Sequence, residues 1–103
     1  MEIIKEKDGD VLTVKILGAL DIKTAPDLSK ELKGQLDDIN HVIFDLKGTD
    51  YTSSSGLRVL LETYQVLASK EGTMAMRNVQ PSFYDILKLS GFTDFIDIQR
   101  VED

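Results

Sequence analysis

Three consecutive serines and a glycine, Ser53-Ser54-Ser55-Gly56, carry the residue types in this chain best suited to chemistry. They follow an apolar run, Val42-Ile43-Phe44 with Leu46, and a polar turn from Lys47 to Asp50. An amphipathic segment comes next and reaches about Ser69. Leu57, Leu60, Leu61, Tyr64, Leu67 and Ala68 make its apolar stripe, and Arg58, Glu62 and Gln65 lie outside it. The serines therefore stand at the start of a predicted helix. The first backbone N–H groups of a helix have no internal acceptor, so one of these hydroxyls is expected to cap it. A helix start also tolerates an added phosphoryl group, because its free N–H groups and partial positive charge favour an anion. Modification there would alter the surface without unfolding the domain. The residues alone leave both readings open: a cap and nothing more, or a hydroxyl that accepts phosphate.

Other chemistries have little to stand on. His41 is the sole histidine, beside Asn40, and no Gly-x-Ser-x-Gly elbow accompanies it, so a hydrolase triad is not expected. Scattered carboxylates with one histidine form no recognisable metal set. The serine loop lacks the Gly-x-x-x-x-Gly-Lys of a phosphate-binding loop. Met74 and Met76 read as packing residues. With no cysteine, disulfides, thiolate ligands and cysteine nucleophiles drop out together, which fits a reducing compartment. The expectation is no catalytic residue, no metal and no cofactor. A formal charge of −6 argues against direct binding of nucleic acid. Lys30 and Lys33 are offset locally by Asp27, Glu31, Asp37 and Asp38. No run approaches the roughly 20 apolar residues of a membrane span, and Met1 to Lys7 lacks the apolar centre of a signal peptide. A cytoplasmic protein with no membrane insertion is expected.

The elements that must position the serines follow from apolar spacing. Glu2 to Lys7 reads as a strand, Asp8-Gly9 as a hairpin turn, and Leu12, Val14 and Ile16 as one face of a second strand that Gly18 ends. Thr24 to about Lys33 reads as a helix, with Thr24 as N-cap, Pro26 and Asp27 in its first turn, and Ala25, Leu28, Leu32 and Leu36 as its stripe. The nearly continuous run at Val42 to Leu46 suggests a strand covered on both faces. Gly72 precedes a strand with Met74 and Met76. A third helix is expected from about Pro81, using Phe83, Ile86 and Leu87 and stopping at Gly91, and then a last strand with Phe95, Ile96 and Ile98. No composition break divides the 103 residues, so 1–103 is read as one α/β domain. About five strands form a mixed sheet, with about three main helices packed against it. No coiled-coil pattern is visible, and a monomer is the default expectation.

The stretch from Phe44-Asp45-Leu46 through Ser53-Ser54-Ser55-Gly56-Leu57-Arg58-Val59-Leu60 resembles the signature of STAS-domain anti-sigma factor antagonists. That signature is an apolar strand ending in Asp-Leu, a short loop, Asp-Ser-Ser/Thr/Ala-Gly-Leu, then an apolar helix. Gly18-Ala19-Leu20-Asp21, followed by Thr24-Ala25, is similar to the family's Gly-x-Leu-Asp element. Leu87-Lys88-Leu89-Ser90-Gly91-Phe92 resembles its Leu-x-x-x-Gly-Leu/Phe segment. The resemblance implies a switch protein whose unmodified form binds an anti-sigma factor that is also a serine kinase, so freeing a sigma factor. Phosphorylation of the serine after the motif's Asp ends that binding, and a phosphoserine phosphatase is implied as a further partner. By position the acceptor is Ser54, with Ser53 and Ser55 as alternates, and Ser53 stands where the family usually has Asp. The resemblance further implies a partner surface of Asp21, Thr24, Ser53, Ser55, Gly56, Leu57 and Arg58. Asp21 reads equally as a turn residue, and Arg58 as a solvated side chain. Two other functions stay open: a STAS scaffold subunit of a transport or signalling complex that is never phosphorylated, and a weak binder of nucleotide or another small ligand.

Overall fold

The computed structural model describes residues 1–101, so the last two residues of the expected 1–103 domain lie outside the described residues. In chain order the elements are β1 (Glu2–Asp8), β2 (Val11–Leu17), α1 (Ala25–Leu32), β3 (His41–Gly48), α2 (Ser54–Ala68), β4 (Thr73–Val79), α3 (Pro81–Leu89), a 3-10 turn (Phe92–Asp94) and β5 (Asp97–Arg100). This is the expected α/β order.

The five strands form one sheet in the order β1-β2-β3-β4-β5. The hairpin sets β1 antiparallel to β2, and β3, β4 and β5 add in parallel. Each parallel step needs a crossover, supplied in turn by α1, α2 and α3. Crossovers of one hand that always advance in the same direction leave their helices on the same face. The burial pattern agrees. Leu12, Val14 and Ile16 of β2, Val42, Phe44 and Leu46 of β3, and Met74, Met76 and Val79 of β4 are all buried in one cluster with Leu28, Leu60, Leu67, Phe83 and Leu87. Removing a side chain the size of Phe44 or Phe83 from water is worth about 1.5–3 kcal/mol, so this face holds the fold together.

The opposite face is half-exposed, which corrects the reading of β3 as covered on both faces: His41, Ile43 and Asp45 are only partly buried. Three further differences have local causes. The first helix ends at Leu32, and Gly34 then takes a φ of +76°, so Leu36 reaches the core from the following loop together with Ile39. Phe95 and Ile96 precede β5 instead of belonging to it, because the 3-10 turn absorbs Phe92 to Asp94. On α2, Ala68 is exposed, and Gly56 and Thr63 take buried positions beside Leu60 and Leu67.

Candidate functional site

The serine loop leaves the carboxyl end of β3 and is tied to the loop after β2. Gly18 N–H donates to Gly48 O at 2.9 Å, and Gly18 turns with a φ of +102°, a backbone region that favours glycine. Beyond it, Leu20 and Thr52 form an isolated parallel bridge. Leu20 N–H donates to Tyr51 O at 3.3 Å, and Ser53 N–H donates to Leu20 O at 2.9 Å. Leu20 is fully buried, and Thr52 and Thr49 nearly so. Two sequence segments some thirty residues apart are thereby locked side by side, with Asp21 following directly on the locked residue. From the other side, α3 braces the loop: Ser82 Oγ donates to Asp50 O at 2.6 Å and Gln80 Nε2 to Lys47 O at 2.8 Å.

The three serines have different surroundings. Ser53 is the N-cap, with extended backbone (φ −85°, ψ 173°), and its Oγ accepts from Gly56 N–H at 3.2 Å. Ser55 is half-buried. Ser54, the first helical residue, is exposed, and its hydroxyl has no hydrogen bond to the described residues. Gly56 is buried because the helix start rests directly on the bridge. A Cβ there would overlap Thr52 Oγ1 and lie 2.7 Å from Leu20 Cγ.

Asp21 closes the turn that leads into α1. Its Oδ1 accepts from Lys23 N–H at 2.9 Å and Thr24 N–H at 3.0 Å. Hydrogen bonding from the Thr24 backbone N–H, with Lys23 assisting, holds the Asp21 carboxyl below the usual carboxylate range, so it is ionised near neutral pH. Thr24 corrects the expected capping pattern. It occupies the cap position of α1 but makes no side-chain cap bond; its Oγ1 instead accepts from Asp21 N–H and donates to Ala19 O, both at 2.8 Å.

Leu57 is half-buried against the core, and Arg58 is exposed one turn beyond Ser54. Ser54, Ser55, Arg58 and Val59 of α2 face Ile22, Ala25 and Pro26 across an open groove of about 520 Å³. Ile22 is 71% exposed on its rim, and Tyr51 beside the serines is 48% exposed. The structure thus gathers Asp21 and Thr24 on one side and Ser53 to Arg58 on the other. Sequence reading overlooked Ile22, Gln80 and Ser82, and took Leu20, Tyr51 and Thr52 only as members of motifs. An apolar residue directly after Asp21 in a polar turn was the available signal for Ile22; the loop braces had none.

His41 lies at the amino end of β3, at the far edge of the sheet from the serines. Its Nδ1 is 2.7 Å from Thr73 Oγ1 and its Nε2 3.8 Å from Asp10 Oδ2. This hydroxyl-imidazole-carboxylate series is largely solvent-exposed and does not form a hydrogen-bonded triad. Among the described residues no group of three or more histidine or acidic side chains is placed to hold a metal, and no helix is long and apolar enough to cross a membrane.

Comparison with known proteins agrees with this geometry. The family model described as the STAS domain matches residues 2–103. An anti-sigma F factor antagonist of Paenibacillus polymyxa is 31% identical, over 95% of this chain and 86% of its own length. Among solved structures, an anti-sigma factor antagonist from Mycobacterium paratuberculosis superposes with a TM-score of 0.80 at 24% identity, covering 95% of this chain and 84% of that one. The Bacillus cell fate determinant SpoIIAA, solved in a phosphorylated form, gives 0.76 at 15% identity, covering 94% and 90%. At these identities the two structures speak for the fold.

Proposed function

We propose, from the premise that this chain belongs to the STAS domain family, that it is a partner-switching anti-sigma factor antagonist whose switch is phosphorylation of Ser54. The observation that carries the reading is the sorting of the serines. One hydroxyl is spent on the helix cap, one is half-buried, and Ser54 alone is exposed and uncommitted. Serine in place of the family's usual Asp at position 53 fits this reading, because serine and aspartate cap helices about equally well.

In this account the partner is an anti-sigma factor with serine kinase activity. It docks over Ile22, Tyr51 and the groove while Ser54 is unmodified, and it lets go of its sigma factor. Ser54 Oγ then attacks the γ-phosphorus of an ATP held by the partner, the bond to the ADP oxygen breaks, and the hydroxyl proton passes to the partner's base. The chain supplies the hydroxyl and the docking surface; the catalytic machinery belongs to the kinase. A phosphatase that hydrolyses the phosphoserine resets the cycle. A cytoplasmic monomer suits this role.

The test is phosphate mapping. The protein is incubated with the kinase that co-purifies with it and ATP, and modified residues are located by mass spectrometry. Phosphate is expected on Ser54, with at least a tenfold loss of total incorporation in Ser54→Ala. Full incorporation in that variant would assign the switch to Ser53 or Ser55. No phosphate anywhere in the loop would leave the unphosphorylated scaffold as the function.

A further inference from the structure

We propose that Arg58 is the internal partner of the phosphate on Ser54, so that modification adds a dianion to the groove and also withdraws the groove's cation. The inference rests on Ser54 being the modified residue. Ser54 and Arg58 are four apart on α2 and line the same groove. Residues at this spacing have Cβ atoms about 5–6 Å apart on one helix face. Helical side chains lean toward the helix N-terminus, which carries the Arg58 guanidinium back over the turn that holds Ser54. A guanidinium presents a planar fork of donors that fits a phosphate in bidentate fashion.

Arg58 is also available. It is exposed and has no hydrogen bond or ion pair with another described residue. Glu62 is the next residue on the same face at the same spacing and competes for it, yet no ion pair joins the two. The surrounding charges define the contest. Asp21 lies beside the serine loop with its carboxylate engaged by the N–H groups of Lys23 and Thr24, while Lys23 and Asp27, which flank the groove residues Ile22 and Pro26 in the chain, are exposed. The first turn of α2 carries no acidic residue, so no carboxylate of that turn competes with the phosphate for Arg58. Unmodified, Arg58 is open to acidic groups of a docking protein; with Ser54 phosphorylated, it turns to the phosphate.

Phosphoserine placed at position 54 during translation makes the test independent of any kinase. Phosphorus NMR then follows the phosphate through its second ionisation. A nearby guanidinium favours the dianion and lowers that pKa. Arg58→Gln is expected to raise it by about half a unit relative to the parent, a shift of the size measured for exposed ion pairs. Arg58→Lys is expected to retain part of the lowering, and the parent-to-Gln difference should shrink in high salt. Superimposable titrations of the parent and Arg58→Gln, with circular dichroism showing both folded, would overturn the pairing. That result would leave the Ser54 switch intact, whereas failure of a kinase to modify Ser54 would overturn the switch on which the inference rests while leaving the measured titration difference as it stands.

Discussion

Ser53 and Ser54 are adjacent and chemically identical, yet the fold gives them opposite duties. Ser53 Oγ satisfies a helix N–H that water would otherwise have to serve, while Ser54 is exposed and its Oγ has no partner among the described residues. Their substitutions should therefore separate. Ser53→Ala is expected to cost about 1 kcal/mol, seen as a drop of about 5 °C in a thermal melt. Ser54→Ala should melt within about 0.5 kcal/mol of the parent, because nothing inside the fold depends on its hydroxyl. Equal melts for the two variants would remove the distinction on which the choice of acceptor rests. The cluster itself was legible in the sequence, since serine before an apolar stripe predicts a helix start. Which serine caps was not, because that depends on where the backbone turns from extended to helical, and three like residues in a row give no local cue. Asp21 was undecided for a similar reason: its role is fixed by a turn that closes through Lys23 and Thr24 N–H groups, and a carboxylate in solvent would show the same sequence.

At the level of elements, the site depends on α2 starting against the Leu20–Thr52 bridge with no gap. Glycine in a helix is ordinarily a cost of about 1 kcal/mol relative to alanine. At Gly56 the balance reverses, because an added methyl would run into the buried Leu20 and Thr52. Overpacking of this kind costs typically about 1–3 kcal/mol. Gly56→Ala is thus expected to lower the melting temperature by several degrees, about 5 °C per kcal/mol lost. It should also slow modification of Ser54 by displacing the helix start. A variant as stable as the parent would mean that the contact yields freely. Helices and strands were largely readable from apolar periods of about four and two. Two of the misreadings involve apolar residues that reach the core from irregular backbone. Leu36 continues the spacing of the first helix after Gly34 has ended it, and Ile96 reaches the core before β5 begins, while Phe95 beside it stays exposed. Burial fixes such residues, and periodicity does not report it.

Across the whole molecule, the sequential strand order and a single covered face place the serine loop at the carboxyl edge of the sheet, between the groove and the start of α3. The strand order has no reversal, so the sheet has none of the switch-point crevice by which doubly wound folds hold a ligand. The loop is instead fixed by the bridge to Leu20 and by Ser82 and Gln80, which holds the exposed Tyr51 and Ser54 on a braced surface. On the proposed reading, phosphorylation of Ser54 would break no internal hydrogen bond, so the switch would act through the docking surface and leave the fold as it is. A single mixed sheet followed from the alternation of elements in the sequence, but its strand order and its open second face did not, and Ile43 between Val42 and Phe44 looks like part of a fully covered strand. The most direct measurement is isothermal titration of the co-purifying kinase with two forms of this chain, one with Ser54 unmodified and one with phosphoserine at position 54. The phosphorylated form is expected to bind at least tenfold more weakly, a loss of about 1.4 kcal/mol or more, with both forms melting alike. Equal affinity of the two forms would contradict the proposed switch.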